Sequence, residues 1–474
     1  MSNTLPLIVD LDGTLLKSDL LLESAVVFAQ TRPLSILKPF FWLTQGKAHL
    51  KEQLANQAPI DASDLPYNPD VLEFITTERN KGRTIILATA SHLSYATQIA
   101  EHLQLFDQVL ATDGATNLSA VNKRNRLVAE FGDGGFDYMG NSSDDLVVWQ
   151  AARSAYVVTP DRGVEARARA HGNVAQVFHQ QGSTFKAWAK GLRFHQWLKN
   201  FLIFVPLLAS HQISWPMLLQ GLLAFVFFGL CASSVYILND LLDLADDRHH
   251  PNKRHRPFAS GRLSIQSGLL AFPLLLLASF VGAIYFLPWR FAVVLVVYYA
   301  LTLLYSLVLK RLMTVDVITL ALLYTLRIIA GIFAFDVVLT FWMLLFSIFI
   351  FLSLALIKRY AELRDARVRG KTSKTRGRGY YPDDLEMISS LGASSGYLSV
   401  MVLALYTQDP NTVALYSKPH FIWLACPLLL FWITRMWLLT HRGQMHEDPV
   451  TFAAKDKVSL AVGVLFCLFF WAAT

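Results

Sequence analysis

Hydrophobic and polar positions are distributed unevenly along the 474 residues of this chain. From about residue 195 onward the sequence is mostly apolar, with runs such as LLAFPLLLLASFVGAIYFL and FWMLLFSIFIFLSLALI. Runs of this length are sufficient to cross a bilayer as helices. Residues 1 to about 180 instead alternate short apolar strands with polar helical segments of mixed charge. The pattern predicts a soluble N-terminal domain over residues 1–180 and an all-α polytopic membrane domain over residues 196–474.

The apolar half predicts about nine membrane-spanning helices. They lie near residues 197–213, 217–245, 266–287, 290–308, 314–335, 339–360, 386–408, 420–440 and 457–473. Basic residues concentrate in the loops after even-numbered spans, namely 248–262, 310–311, 358–378 and 442–457, whereas the opposite loops offer little beyond Arg290 and Lys418. The positive-inside rule makes the basic loops cytosolic. Since Asp10 and Asp12 interrupt the first apolar stretch, no cleavable signal is predicted and the N-terminal domain is expected in the cytosol.

Composition changes this picture little. The net charge of +7 is explained by the basic loops, so it gives no reason to expect a nucleic-acid partner. The three cysteines, Cys231, Cys426 and Cys467, all fall inside apolar spans. They have no metal-ligand spacing and no paired framework, which favours inert packing residues.

The two halves are joined by a short amphipathic segment, residues 181–195. Phe185, Trp188 and Leu192 recur at helical spacing, opposite three basic side chains. This pattern predicts a helix lying in the membrane interface. The alternative is a linker that continues into the first span.

Polar residues follow the apolar strands of the N-terminal domain. LPLIVDLDGT, TIILATAS and FDYMGNSSDDL each read as a strand leading into a loop, and helical segments separate them. Strands alternating with helices predict an α/β doubly wound parallel sheet with its site at the strand ends. The polar candidates in these three segments and in the polar stretch before RLVAEFG are Asp10, Asp12, Thr89, Lys123, Asn141 and Asp145.

These residues resemble, in the right order, the four motifs of the haloacid dehalogenase superfamily. The resemblance implies that Asp10 is the nucleophile that forms an aspartyl-phosphate and that Asp12 is the general acid/base. It also implies that Thr89 holds the phosphoryl oxygens and that Lys123 neutralises them. The helical insert between Leu20 and Asn80 is then a cap over the site.

The same resemblance implies a magnesium site built from Asp10, Asp12, Asn141 and Asp145. The family's last motif usually begins with an aspartate, where this chain has Asn141. An amide oxygen can still ligate Mg²⁺, but it brings no charge. The alternative to an active phosphatase is a domain retained as a regulator or scaffold.

Acidic residues interrupt the second predicted span. The helix begins as GLLAFVFFGLCASSVYIL and continues into NDLLDLADD, which contains Asn239, Asp240, Asp243 and Asp247. Steps of three and four residues place the three aspartates on one helical stripe. Charges close to a membrane core are costly and usually functional. Like charges so placed need a cation among them, and Mg²⁺ suits carboxylates that share it with substrate phosphates.

This motif resembles N-D-x-x-D-x-x-x-D of the UbiA-type prenyltransferase superfamily. A second acidic motif is weak, because Asp316 is present but Leu320 stands where a further aspartate is expected. HQWLKN, HPNKRHRP and KRYAEL instead resemble the branch of decaprenyl-phosphate phosphoribosyltransferases. That likeness implies phosphoribosyl pyrophosphate as donor and a polyprenyl phosphate as nucleophile, with oxocarbenium character at the sugar.

In this interpretation Asp240 and Asp243 are the catalytic acids, and with Asn239 and Asp247 they hold Mg²⁺ and pyrophosphate. Two phosphorylated substrates also need cations. The expected phosphate binders are Lys199, Lys253, Arg256, Lys310, Arg327, Lys358 and Arg359. Basic residues at span ends are equally typical of topology signals and lipid anchors.

Three function classes remain open at this point. They are the phosphoribosyltransferase, an aromatic-ring prenyltransferase that uses a prenyl diphosphate, and a phosphatase anchored by an inert membrane domain. A transporter with the acids in an ion pathway is disfavoured by the basic residues that follow them. In the first class the product carries a 5-phosphate, which the fused phosphatase would remove, and the tether would raise the effective concentration of that substrate. The oligomeric state and the lipid's chain length are not predicted.

Overall fold

The computed structural model describes residues 5–113, 117–158, 161–179, 183–210, 213–250, 253–338, 340–370, 379–410, 416–445 and 448–474. Two positions of the HPNKRHRP motif and residues 371–378 of the basic loop lie outside these ranges. The chain forms two compact units. The first contains Met1–Leu192 together with Tyr236–Phe272, and the second contains Arg193–Val235 together with Pro273–Thr474.

A six-stranded parallel sheet forms the centre of the first unit. Its strands are β1 (Leu7–Val9), β2 (Ile85–His92), β3 (Gln108–Thr112), β4 (Asp137–Gly140), β5 (Ala155–Val158) and β6 (Val174–Phe178). They are arranged in the order β3-β2-β1-β4-β5-β6, with β1 pairing in parallel with both β2 and β4. The apolar runs form strands because helices cover both faces, so nearly every side chain of β1 and β2 is buried. The predicted doubly wound sheet is confirmed.

Helices of the first unit pack on this sheet or form the insert between β1 and β2. Their bounds are Leu20–Thr31, Lys38–Thr44, Lys47–Gln57, Pro69–Asn80, Leu93–Leu103, Ala120–Phe131, Leu146–Ala151 and Arg162–Arg169. The predicted helical insert is therefore present. Its small core joins Phe28 with Leu50, Leu54 and Ala58.

The amphipathic segment near residue 185 forms the helix Thr184–Gly191. Trp188 does not face outward as an interfacial anchor would, because its ring packs edge-on against Phe258 at 6.3 Å. Phe185 is 79% exposed. The predicted helix is present, but only part of its apolar face is open.

The acidic segment belongs to the same compact unit as the sheet. The helix Trp215–Leu242 ends just after Asp240, and a short helix Leu244–His249 follows. Arg248 forms two hydrogen bonds with the buried carboxylate of Glu23, at 2.5 and 3.2 Å, and His249 lies 2.9 Å from Asp64. Side chains of the cap therefore hold the segment that follows the acidic motif.

The remaining chain is an all-helical bundle, as predicted. Seven of its helices in the described residues are long and apolar enough to cross a membrane: Trp215–Leu242, Ile265–Phe286, Trp289–Leu307, Val315–Phe335, Phe341–Val368, Pro382–Tyr406 and Pro419–His441. The protein is thus an integral membrane protein. The predicted ninth span is the shorter apolar helix Lys457–Ala473.

The first predicted span, 197–213, does not form a long helix. The chain there adopts a 3₁₀ segment, Phe194–Phe204, followed by the five-residue helix Val205–Ala209. This segment packs tightly on the helix Val315–Phe335, because a Cβ on Gly331 would lie 2.0 Å from the carbonyl oxygen of Ile203. The close packing buries Lys199 and Asn200. Apolar composition alone could not distinguish this packed segment from a span.

Candidate functional site

The N-terminal candidates meet at one edge of the sheet, where β1, β2 and β4 end. Lys123 donates a hydrogen bond of 2.6 Å to Asp10 and one of 2.9 Å to the hydroxyl of Tyr138. Tyr138 in turn donates to Asp145 at 2.7 Å. Asp10, Lys123, Tyr138 and Asp145 are all buried. The structure therefore brings the predicted nucleophile and the predicted lysine into direct contact, although they are 113 positions apart in the sequence.

Asp12 lies on the other side of the same loop and is held by three donors. The backbone N–H of Leu20 donates to it at 2.8 Å, and Ser91 donates through its hydroxyl at 2.6 Å. Thr89 lies 3.4 Å from the same carboxylate and also accepts from the N–H of Ser91. Asp12 is thus fixed by the first residue of the cap and by the end of β2. The sequence placed Ser91 at a strand end but did not assign it to the site.

Burial sets the electrostatics of these two acids. It raises the pKa of Asp10 to about 7, in spite of the neighbouring Lys123. It raises the pKa of Asp12 to about 6, with the negative charge of Asp19 adding to the effect. Burial alone would lower the pKa of Lys123, but Asp10 and Asp145 outweigh it and raise that pKa. Perturbed carboxylates in contact with a buried lysine are typical of catalytic sites.

The last motif closes this site from β4. The hydroxyl of Thr14 lies 3.2 Å from the amide oxygen of Asn141 and 3.4 Å from Asp10. Gly13 adopts a φ of +74°, and a Cβ there would lie 2.2 Å from the side chain of Asn141, so only glycine fits. Asn141 and Asp10 are therefore adjacent, as the predicted magnesium site requires.

Asp145 has a different role in the described contacts. One of its oxygens accepts from the backbone N–H groups of Asn141 and Ser142 and from the Ser142 hydroxyl. Within the described ranges no group of three or more His, Cys, Asp or Glu side chains has the arrangement of a metal site. The oxygen donors of Asp10 and Asn141 suit Mg²⁺ chemically, and the proposed ligand sets stay predictions.

Lys51 from the cap is a residue that the sequence did not single out. Its ammonium group donates to the carbonyl of Ala90 at 2.6 Å and to Asn117 at 3.1 Å. Burial lowers its pKa. A small cavity beside it is lined by Leu20, Leu21, Ser24, Lys51, Ser91, His92 and Tyr95. Lys51 is therefore a cap cation placed next to Asp12, which no motif signals.

In the acidic motif, a cation does lie among the carboxylates, and it is Arg256. One guanidinium nitrogen is 3.1 Å from Asp240 and 2.6 Å from Asp247. Both aspartates are almost fully buried, and burial raises the pKa of Asp247 although Arg256 and Lys253 oppose that shift. The Lys253 ammonium is 3.8 Å from Asp247. The shared arginine shows that Asp240 and Asp247 lie on one side.

The helix breaks within this motif, at Asp243. Asp243 follows the helix Trp215–Leu242 and precedes Leu244–His249, with φ −95° and ψ 17°. The backbone N–H of Asp243 still donates to the carbonyl of Asn239, and the carbonyl of Asp243 accepts from the backbone N–H of Asp247. Asn239 and Asp243 are half-buried. Helical hydrogen bonding therefore continues through the break.

A second cationic cluster lies in the membrane unit around Asp448. The Lys199 ammonium is 2.8 Å from one oxygen of Asp448, and the Lys358 ammonium is 3.6 Å from the same oxygen. Tyr324 donates to that carboxylate at 3.1 Å, and the Lys199 ammonium lies 5.1 Å from the Tyr324 ring. Burial alone raises the pKa of Asp448, but the two lysines hold it well below its usual range. The sequence predicted both lysines and missed the aspartate, which lies between two spans and carries no motif.

Arg359 forms a buried pair with the only aspartate of the weak second motif. Its guanidinium lies 2.5 Å from Asp316, which is fully buried, and it also contacts Glu362. Tyr305 donates to Asp316 at 2.8 Å. Asp316 is thus neutralised inside the bundle, and Arg359 serves as its partner.

Arg327 is buried among aromatic rings. Its guanidinium lies 5.1 Å from the rings of both Phe228 and Tyr298. It donates to Asn200 at 3.2 Å and to the carbonyl of Leu323 at 2.5 Å. These contacts are those of a packing residue, and its predicted role as a phosphate binder stays a prediction. Lys310 lies half-buried in the short segment Leu309–Arg311, and its role also stays a prediction.

The fold and these clusters define a polytopic membrane enzyme that carries an additional α/β domain. Residues 201–473 match the UbiA prenyltransferase family. Because this match covers more than half of the chain, the chain belongs to that family. Both the predicted family and the predicted membrane fold are thereby confirmed.

Two similar proteins match different extents of the chain. An uncharacterized protein, y4nM, of Sinorhizobium fredii is 38% identical over 464 residues, covering 97% of this chain and 89% of that protein. The decaprenyl-phosphate phosphoribosyltransferase of Mycolicibacterium smegmatis is 31% identical over 275 residues, covering 57% of this chain and 86% of that enzyme. The first relative spans both units, whereas the second matches a little more than half of the chain.

Two solved structures are more distantly similar. A UbiA homologue from Archaeoglobus fulgidus bound to GPP and Mg²⁺ has a TM-score of 0.47 at 16% identity, covering 60% of this chain and 99% of that one. A probable phosphoserine phosphatase from Vibrio cholerae has a TM-score of 0.28 at 18% identity, covering 35% of this chain and 59% of that one. Both scores are too low for any residue's role to be transferred.

Proposed function

We propose that the membrane domain, residues 196–474, transfers phosphoribose from phosphoribosyl pyrophosphate to a polyprenyl phosphate in a Mg²⁺-dependent reaction at the cytosolic face. The Asp316–Arg359 pair is the observation that carries this proposal. A prenyl diphosphate held between two acidic motifs needs a second set of metal-binding carboxylates, and the aspartate of that motif is instead neutralised by arginine. The name of the relative that is 31% identical supports the same donor.

The acidic motif would hold the leaving group. Asn239, Asp240, Asp243 and Asp247 supply only oxygen donors, which fit Mg²⁺ shared with pyrophosphate oxygens. Bound Mg²⁺ would neutralise the charge that develops on departing pyrophosphate. Arg256, which already lies between two of these acids, would contribute a fixed positive charge to the same oxygens.

The lysine pair would bind the acceptor. Lys199 and Lys358 bring two ammonium groups to one carboxylate oxygen, so the cluster has a net positive charge. A phosphate monoester is the anion that such a cluster suits, because it can accept hydrogen bonds from both amines. Tyr324 would add a further donor next to Lys199.

We infer that the N-terminal domain is a phosphatase that acts on the 5-phosphate of the lipid product. Asp10 would attack the phosphorus, the ester bond to the sugar oxygen would break, and Asp12 would protonate that oxygen. Water would then release phosphate from Asp10. Lys123, already bonded to Asp10, would stabilise the phosphoryl oxygens together with Thr89, and Asn141 with Asp10 would hold Mg²⁺.

The donor is tested in membranes that contain the full-length protein. Labelled phosphoribosyl pyrophosphate and labelled prenyl diphosphate are supplied in parallel, and lipid products are separated by thin-layer chromatography. We expect labelled lipid only from the phosphoribosyl donor, and its loss in Asp240→Asn. Asp246→Asn is the matched control, since Asp246 is exposed on the same segment. Product from the prenyl donor, or equal product from Asp240→Asn, would contradict the proposal.

The phosphatase is tested with purified protein and the 5-phosphorylated lipid. We expect phosphate release from the wild type and none from Asp10→Ala, whereas Asp144→Asn, at an exposed neighbouring acid, retains it. No release from the wild type, or equal release from Asp10→Ala, would reject this substrate. Release from a free sugar phosphate but not from the lipid would indicate a cytosolic metabolite instead.

A further inference from the structure

The cap of the N-terminal domain carries a concentrated patch of exposed apolar side chains. Of the eight exposed large apolar side chains in the described residues 5–179, six lie within ten positions. We define the cap patch as Leu34, Ile36, Leu37, Phe40, Phe41 and Leu43, which are 45–102% exposed. Soluble surfaces rarely expose large side chains in such a cluster unless it contacts a partner.

The surrounding charges indicate what kind of partner the patch fits. Between Glu23 and Glu52 the sequence contains no acidic residue, whereas Arg32, Lys38 and Lys47 are all exposed. An apolar patch whose charged neighbours within this stretch of sequence are cations is complementary to a bilayer with anionic headgroups. A partly exposed Trp42 beside the patch, packed edge-on against Phe28 at 5.2 Å, is also typical of a membrane interface.

The shape of the segment excludes a transmembrane arrangement. The helix Leu20–Thr31 and the stretch Pro33–Thr44 are bent by 119° relative to each other. The first helix buries Leu20 and Phe28 in the protein core, so it is not available to lipid. The second stretch is much shorter than the roughly 20 residues that cross a bilayer. Only a shallow, in-plane insertion fits these observations.

We propose that the cap patch inserts into the interface of the same bilayer that holds the membrane unit. The covalent link to that unit keeps the patch at high effective concentration near lipid, so modest affinity is enough. The helix Leu20–Thr31 connects the patch to the site, because its first N–H bonds to Asp12. Its 12 residues make it about 18 Å long at 1.5 Å per residue. Insertion would thus hold the Asp12 site about one helix length from the lipid surface.

The test is site-directed spin labelling of the full-length protein in vesicles of phosphatidylcholine and phosphatidylglycerol. Cys231, Cys426 and Cys467 are replaced by alanine, and single cysteines are introduced at Phe40 and Phe41. A matched control is Val121→Cys, at an isolated exposed apolar residue of the same domain. Collisions with oxygen, which dissolves in lipid, and with a water-soluble nickel chelate are measured at each label.

We expect the labels at positions 40 and 41 to show a several-fold higher ratio of oxygen to nickel accessibility than the label at 121, with a depth of roughly 5–10 Å. A ratio equal to that at 121 would mean that the patch faces water and would overturn the proposal. Protection from both reagents would mean that protein covers the patch, from this chain or from a second copy, and would also overturn it. Because the patch labels occupy exposed positions, misfolding would not mimic lipid exposure at one segment alone.

Discussion

Replacing Asp448 by asparagine should reveal whether the lysine cluster is built to bind an anion. At an effective dielectric constant of about 20, the Coulomb attraction is about 6 kcal/mol for Lys199 at 2.8 Å and about 5 kcal/mol for Lys358 at 3.6 Å. Desolvation of the buried groups offsets most of this attraction. Solvent also screens the contribution of Lys358, because its side chain is one-third exposed. Breaking a buried pair typically costs about 3–5 kcal/mol. We expect Asp448→Asn to lower the free energy of unfolding by about 3 kcal/mol, at the lower end of this range.

The substitution leaves two ammonium groups close together without their shared carboxylate. We therefore expect lower thermal stability in detergent, which a short-chain polyprenyl phosphate restores more strongly in Asp448→Asn than in the wild type. Stabilisation by a ligand grows with its concentration relative to its Kd, and removal of the competing carboxylate lowers that Kd. The measurement is the unfolding midpoint across a ligand titration.

A matched control is Asp456→Asn, at a carboxylate that pairs with Arg435 and not with the lysine cluster. It should lose stability without gaining sensitivity to the anion. If Asp448→Asn loses stability and its unfolding midpoint does not respond to the polyprenyl phosphate more than that of the wild type does, the lysines are structural. That result would refute the assignment of Lys199 and Lys358 to the acceptor phosphate.

Three further substitutions test individual contacts. Ser91→Ala removes a 2.6 Å hydrogen bond to Asp12. Because a hydrogen bond to a charged group is worth about 1.5–3 kcal/mol, the phosphatase kcat should fall about ten- to a hundredfold. An unchanged kcat would contradict this role of Ser91. Asp316→Asn leaves the buried guanidinium of Arg359 without its partner carboxylate. The unfolding midpoint in detergent should fall by the equivalent of about 3 kcal/mol. An unchanged midpoint would show that Glu362 alone compensates the charge of Arg359. Gly13→Ala places a Cβ at a left-handed backbone position, against the side chain of Asn141. Phosphate release should therefore be lost while labelled lipid is still formed. Retained phosphate release would mean that the loop can shift.

The N-terminal site was predictable to an unusual degree, for a physical reason. In a parallel sheet the loops at the carboxyl ends of adjacent strands meet at one edge, so residues that follow β1, β2 and β4 must approach one another. Asp10 and Asn141, which follow β1 and β4, therefore converge as expected, whereas Lys123 reaches Asp10 from the helix Ala120–Phe131. Tyr138 was not predicted, because a tyrosine inside a strand reads as core until its hydroxyl is seen between Lys123 and Asp145.

The membrane half was predictable in composition but less so in detail. Long apolar runs identified most of the spanning helices, because only hydrogen-bonded helices tolerate hydrocarbon in such a chain. The prediction of a span at 197–213 was wrong, because apolar residues that pack against other helices have the same composition as residues that face lipid. Asp448 was missed because its importance arises from two lysines that are 249 and 90 positions away in sequence.

The sequence alone thus determined which elements form, which family the chain belongs to and which residues can carry charge chemistry. Periodicity, apolar length and motif spacing are local properties, and they act before any distant contact is made. The tertiary structure alone decided the partners: that Arg256 lies between Asp240 and Asp247, that Arg359 neutralises Asp316, and that two lysines share Asp448. The energy of a charge depends on its burial and on its neighbours, and both are fixed only when distant segments pack together.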